Sequence, residues 1–217
     1  MIKQKDVFLQ EEGNVWFDRN HATIQSRDLD QYHDPVIFAV QRCMSSLPLN
    51  EVKLLEIGCG EAKRLQWIKK NLGIDCYGID PSEKAVATAQ SRGVHAVRST
   101  ADQIPFEDHE FDFVVFGFCL YLCDRDDLFQ IAQEAHRVLK PDAWLLIHDF
   151  FSGAPYSRKY HHRDGINSYK MDYRSLFLWH PSYECFSHEI THHGANGYTD
   201  DVNEWVGLSV MRKKTVS

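Results

Sequence analysis

Short apolar runs alternate with longer amphipathic stretches between residues 52 and 149. The runs predict strands at 52–57, 75–79, 95–98, 111–117 and 143–149, and the stretches predict helices at 61–71, 82–92 and 125–138. Alternation of this kind builds a parallel, doubly wound sheet covered by helices. Val114-Val115-Phe116 is apolar without a break, as a strand buried on both faces requires. Ser82, followed by Glu83, reads as a helix N-cap. Ahead of this core the pattern predicts helices at 4–12 and 29–46, with Trp16-Phe17-Asp18-Arg19-Asn20 between them and Pro48 and Asn50 as punctuation. Behind it, 150–183 loses the alternation and is too long for a plain connection. Strands resume at 184–192 and 202–212 and read as a closing antiparallel hairpin. No internal repeat is visible.

The first strand runs into Glu56-Ile57-Gly58-Cys59-Gly60-Glu61-Ala62. A strand, a glycine turn and a helix together form a site where backbone can approach a nucleotide-like cofactor, because Cβ is absent. Asp80 closes the second strand about twenty residues on, where an acidic side chain suits a ribose diol. A dinucleotide fingerprint wants a third glycine at position 63, which is Lys63, and a phosphate gains nothing from Glu56. A nicotinamide-dependent oxidoreductase is therefore disfavoured. Glu56 suits a cofactor with an amino group and a sulfonium.

Here the chain resembles the class I S-adenosylmethionine-dependent methyltransferases, whose loop reads E/D-x-G-x-G-x-G; Ala62 stands for the third glycine. Thr100-Ala101-Asp102-Gln103-Ile104-Pro105-Phe106 is similar to the adenine-side loop, Phe111–Val115 to the entry of strand four, and Glu134–Ala143 to the helix and turn before strand five, with Asp142-Ala143 for a glycine pair. The resemblance covers roughly residues 50–150 in motif order. It implies a Rossmann-like seven-stranded sheet with an N-terminal helical lid over 1–49, a cofactor core over 50–149, an acceptor-recognition insertion over 150–183 and the closing hairpin over 184–217. More loosely, the Trp-Phe-x-Arg-Asn segment and the insertion resemble bacterial methyltransferases of surface-polysaccharide or secondary-metabolite pathways. The implied cofactor is S-adenosyl-L-methionine, with S-adenosyl-L-homocysteine as product. The resemblance further implies that Glu56 faces the methionine amino group, Gly58, Cys59 and Gly60 form the loop, Asp80 and Pro81 meet the ribose, and Ala101, Asp102 and Gln103 lie near adenine. Phe116, Gly117 and Phe118 would then flank the methionine part. Trp16 and Arg19 belong to the lid, where the Arg19 guanidinium matches a carboxylate bidentately.

Composition narrows the setting. The chain has 217 residues and a net charge of −7 with no long basic tract, which argues against a nucleic-acid partner. Its longest uncharged stretch, Phe113–Cys123, is eleven residues, too short to span a bilayer. Met1-Ile2-Lys3-Gln4-Lys5-Asp6 has no apolar signal core. The six cysteines include no C-x-x-C pair and read as reduced thiols, so the cytoplasm is the expected compartment.

The insertion carries the acceptor chemistry. Residues 156–174 hold five Lys or Arg against two Asp, interleaved with four tyrosines. Tyr156, Arg158, Arg163, Tyr169 and Lys170 are the candidate contacts to a small acceptor, sugar-like or ring-shaped and bearing a phosphate or carboxylate. Seven of the twelve histidines follow residue 147. An alcohol must lose its proton as it attacks and an amine must arrive unprotonated, so an imidazole serves either. His161 and His162 are the candidate bases, with only one of an adjacent pair expected to face the cleft. Tyr121 stands where many relatives have histidine. Metal binding by His161, His162, Asp164, His192 and His193 is disfavoured, since adjacent histidines on a strand point apart and Gly117 stands where metal-dependent relatives need a carboxylate. A non-catalytic cofactor-binding subunit or sensor is the alternative reading.

Overall fold

A computed structural model describes residues 3–26, 28–29, 34–47, 51–194 and 197–215. Strands β1 (Lys53–Ile57), β2 (Asp75–Asp80), β3 (His95–Arg98), β4 (Phe111–Gly117) and β5 (Leu139–Phe150) alternate with helices, and β8 (Tyr183–His192) and β9 (Trp205–Lys213) close the sheet. The sheet order is β3-β2-β1-β4-β5-β9-β8. The first five pair in parallel, while β9 is antiparallel to both β5 and β8. The insertion adds a separate two-stranded ribbon, β6 (Tyr156–Lys159) with β7 (Asn167–Lys170), and the short helix α7 (Ser175–Leu178).

Strand alternation sends each residue to one of two cores. Phe113 and Val115 pack on one face with Leu65 and Ile68 of α4 (Lys63–Leu72), Ala89 of α5 (Glu83–Ser91) and Val36 and Val40 of α3 (Pro35–Met44). Phe111, Val114 and Phe116 pack on the other, with Phe177 and with Ile131, Ala135 and Val138 of α6 (Leu128–Val138). Helix starts are capped as their sequences require: Ser82 Oγ accepts from the Ala85 N–H at 3.1 Å, and Asp34 accepts from Val36 and Ile37 at 2.9 and 3.2 Å ahead of Pro35.

Several boundaries differ from the expectation. The N-terminal helices are one run through α1 (Gln4–Val7), a π-helical stretch Phe8–Glu12 and α2 (Gly13–Ser26), so Trp16–Asn20 lies inside a helix and not between two. Gly13 stands just past the expected end of the first helix, but it keeps helical angles (φ −57°, ψ −46°) and the run passes through it. The expected helix at 29–46 begins only at Pro35, and residues 30–33, Pro48 and Asn50 lie outside the described residues. Helix α6 begins three residues late, behind a 3₁₀ turn at Arg125–Asp127. Strand β5 extends to both sides of 143–149; its pairing with β4 shifts between Phe111 and Phe113, and Asp142 takes a left-handed φ of 53° there.

The helical run folds over the carboxyl ends of β1, β2 and β4. Lys5 pairs with Asp102 and, at 2.8 Å, with Asp127, while Asp124 accepts from the Gln4 and Lys5 N–H groups at 2.9 and 3.0 Å. Asn14 meets the Ser82 hydroxyl at 2.8 Å, and Gln4 Oε1 accepts from the Asn167 N–H of the insertion at 2.7 Å. The lid is thus tied to both the core and the insertion.

Candidate functional site

A cavity of about 680 Å³ opens beneath this lid. Cavities of roughly 300–1,000 Å³ are the usual size for small-molecule sites. Its wall is built first from the β1–α4 loop. Gly58 has φ +78°, and a Cβ there would meet the Cys119 Cβ at 2.7 Å, so a side chain is excluded by the neighbouring loop. Gly60 has φ +51° and open space beyond it, which leaves its backbone face to the cavity. Ala62, the third-glycine position, is also left-handed at φ 56° and is 1% exposed; a methyl is tolerated here.

Asp80, at the end of β2, braces this loop. Its Oδ2 accepts from the Gly60 N–H and its Oδ1 from the Ser82 N–H, both at 2.9 Å. Burial pushes its carboxyl up to about 6, against the pull of those two N–H groups. Each oxygen keeps a lone pair for a hydroxyl. Glu56, buried, bonds to the Arg64 guanidinium, which also reaches Asp34 at 2.9 Å. Burial raises Glu56 to about 7 although Arg64 opposes it. Burial also acts to raise Asp34, but Arg64 outweighs it and the carboxyl lies below its ordinary value.

Most of the expected side chains converge here. Trp16, Glu56, Gly58, Cys59, Gly60, Asp80, Pro81, Ala101, Asp102, Gly117 and Phe118 line the cavity, together with Tyr121, Arg158, His161, His162, Tyr169 and Lys170. Burial pushes the Tyr121 hydroxyl well above its ordinary value, with the Trp16 indole acting weakly against it. His161 and His162 both reach the wall, with ring centroids 4.3 Å apart, so the expectation that one must turn away does not hold. They sit in a turn after β6, where the two-residue alternation of a strand is absent. Burial lowers His162, with Arg19 and His161 adding to the effect.

Five expected residues are elsewhere. Phe116 points into the sheet core, 6.2 Å from Phe177, because it alternates with Gly117 across β4. Gln103 is exposed beside the 99–103 turn. Arg19 is held by Glu12 at 3.1 Å and the Tyr160 hydroxyl at 2.9 Å. Arg163 pairs with Glu11 at 2.7 Å, and Tyr156 leans toward Asn203 at 3.5 Å. Asp149 and His192, two other groups able to take a proton, also lie off the cavity wall. Asp149 is buried, accepts from the Leu120 and Phe150 N–H groups at 2.8 Å each, and rises to about 7 by burial. It shapes the 3₁₀ turn Leu120–Leu122 and does not line the cavity. His192 keeps a buried Nδ1 without a hydrogen bond. Residues that sequence reasoning missed include Lys5, Arg64, His193, Asn203 and Glu204, all on the wall. Arg64 follows the glycine loop directly in the first turn of α4, while the other four arrive from distant segments that carry no local mark. Among the described residues no three His, Cys, Asp or Glu side chains converge as a metal site, and no helix is long and apolar enough to cross a membrane.

A glycine loop open to the cavity, a carboxylate at the end of β2 with lone pairs to spare and a buried acidic group beside the loop fit an adenosyl-sulfonium cofactor. Fold and site together fit an S-adenosylmethionine-binding domain. Residues 55–147 match the family described as a methyltransferase domain. The chain is 34% identical over 98 residues to a demethylmenaquinone methyltransferase of Geobacillus stearothermophilus, covering 41% of each protein. It is 26% identical over 153 residues to the human mitochondrial arginine-hydroxylase NDUFAF5, covering 70% of this chain and 40% of that one. In fold it is similar to the 1,6-didemethyltoxoflavin-N1-methyltransferase of Burkholderia thailandensis, with a TM-score of 0.65, 16% identity and coverage of 94% of this chain and 90% of that one. That structure holds S-adenosylhomocysteine. The chain matches this methyltransferase-domain family over under half of its length. It spans between 40% and 64% of the length of the curated relatives it matches.

Proposed function

We propose that this protein transfers a methyl group from S-adenosylmethionine to a hydroxyl or amine of a small anionic acceptor. One observation carries the reading: a single cavity is lined both by Gly60, Asp80 and Asp102 and by Arg158, His161, His162 and Lys170. The proposed cofactor and acceptor residues therefore share one open cleft, as an in-line transfer between two bound molecules requires. The cofactor, when bound, supplies an electrophilic methyl on a positive sulfur.

The chain's own groups do the rest. Asp80 offers its remaining lone pairs to the ribose hydroxyls, and Gly60 lets the backbone lie against the sugar. Asp102, held by Lys5, faces the adenine side. Glu56, near 7, offers negative charge to the amino end. Lys170 and Arg158 take the acceptor's anionic group. His162, lowered by burial, is neutral near pH 7 and able to accept a proton, and His161 stands beside it. The six cysteines are unpaired, which supports a reducing compartment such as the cytoplasm.

The test is a turnover assay with methyl-labelled cofactor and a low-mass metabolite extract. Label should move to a small molecule in step with S-adenosylhomocysteine formation. Cofactor that binds in calorimetry and is never consumed, across extracts of several sources, would favour the non-catalytic sensor and overturn the enzyme reading.

A further inference from the structure

We infer that the acceptor is a planar aromatic acid, its ring against Phe118, Tyr121, Phe150 and His193 and its anionic oxygen at Lys170. This deepens the methyltransferase reading and rests on it.

The four rings come from the end of β4, the following 3₁₀ turn, the end of β5 and the β8–β9 loop, and all line the cavity. Phe150 is their centre, with ring centroids 5.4 Å from Phe118, 4.9 Å from Tyr121 and 4.8 Å from His193. A flat ring meets such a wall without losing any hydrogen bond and adds further offset or edge contacts. A sugar can lay its C–H face on such a wall, but its hydroxyls then each need a partner at the rim, whereas a flat ring needs none. The wall therefore favours the ring-shaped member of the two acceptor types that the insertion's composition suggested.

The charge is specified separately. Lys170 is 3% exposed, its Nζ lies 4.7 Å over the Phe150 ring, and its ammonium donates to the Asn203 carbonyl. It forms no ion pair with a carboxylate among the described residues. Lysine is seldom this buried unless paired. Arg158, the neighbouring cation that most disfavours the charge on Lys170 after burial itself, lines the same cavity and is likewise without a described ion pair. Glu204, Asp201 and Asp149 act on Lys170 at longer range, but neither cation has a carboxylate in direct contact among the described residues. A carboxylate or phenolate on a ring supplies that contact, and only a group attached to the ring satisfies the wall and Lys170 together.

The experiment uses the full chain saturated with S-adenosylhomocysteine and measures binding of salicylate, benzoate, cyclohexanecarboxylate, benzyl alcohol and glucuronate by calorimetry. Benzoate and salicylate should bind. Cyclohexanecarboxylate and benzyl alcohol should be weaker by about tenfold or more, and glucuronate weaker still. Lys170→Met should weaken salicylate by about 10- to 100-fold, the scale of a charged hydrogen bond, with S-adenosylhomocysteine affinity unchanged. Should that variant not fold, the exposed Arg158→Gln should still cost salicylate several-fold. Glucuronate binding as well as benzoate, no aromatic anion binding at all, or salicylate indifferent to both variants overturns the inference. Failure of S-adenosylhomocysteine itself to bind is a separate result, and it removes the methyltransferase reading along with this one.

Discussion

Asp80→Asn isolates what the β2 carboxylate does. The wild-type side chain spends one lone pair of each oxygen on a backbone N–H, Gly60 through Oδ2 and Ser82 through Oδ1, both at 2.9 Å. In the proposed reading the remaining lone pairs take the ribose hydroxyls. An amide of the same size has one carbonyl oxygen and an NH₂ that faces an N–H donor. It therefore loses a charged acceptor toward the cofactor and strands one backbone donor. The cofactor term is a hydrogen bond to a charged group, about 1.5–3 kcal/mol, or roughly 12- to 150-fold in affinity. The folding terms oppose each other. A stranded buried N–H costs about 1–3 kcal/mol. Against it, the carboxyl is raised to about 6 in the folded protein from about 3.9 in the unfolded chain. Its ionised form thus carries a burial penalty absent below about pH 4 and complete above about pH 6, of roughly 3 kcal/mol, which the neutral amide escapes. Melting at pH 8 should shift little while calorimetric affinity for S-adenosylhomocysteine falls by one to two orders of magnitude. As pH drops through 6 the wild-type carboxyl protonates, so the gap between wild type and variant should narrow. Glu56, raised to about 7 by burial first and partly by the Asp80 charge, moves down in the variant, so the two proteins are compared at pH 8, where Glu56 is ionised in both. A folded Asp80→Asn with wild-type affinity at pH 8 would refute the ribose assignment.

Two further outcomes follow from the geometry. Gly58→Ala puts a Cβ 2.7 Å from the Cys119 Cβ at φ +78° and should lower stability by about 1–3 kcal/mol; Gly60→Ala, with nothing within 4 Å, should cost the fold less and the cofactor more, so thermal melts and S-adenosylhomocysteine titrations should rank the two variants in opposite order. Because His161 and His162 both line the cavity, the base is identified by pH profile: alanine at the working histidine should lower kcat by about 10²–10⁴-fold near pH 7, less at pH 10, with cofactor affinity intact, and two profiles parallel to wild type would assign the proton to no imidazole of this pair.

The proposed cofactor half of the site was legible in the chain because the residues that form it are local. Strand, glycine turn, helix and strand-end carboxylate are separated by a few residues to about twenty, so periodicity and spacing place Gly58, Gly60 and Asp80 together without any knowledge of tertiary packing. The parallel order of the five core strands follows from the same alternation. Even within this region, side-chain direction could escape the reading: Phe116 and Gly117 are neighbours in sequence, yet a strand sends them to opposite faces, and only Gly117 reaches the cavity.

The acceptor half depended on tertiary structure. The basic composition of 156–174 was plain, but whether each cation was available depended on partners far along the chain. Glu11 takes Arg163, and Glu12 and Tyr160 take Arg19, whereas Lys170 is carried by β7 beneath Phe150 and Asn203 with no carboxylate among its described partners. The ring wall joins residues 118, 121, 150 and 193, which share no motif and meet only because β4, β5 and the β8–β9 loop end at the same edge of the sheet. Local sequence sets what a segment can form and which chemistry it carries. Which of those groups are neutralised by a neighbour, and which are left facing a common space, is decided by long-range contacts that no window of sequence contains.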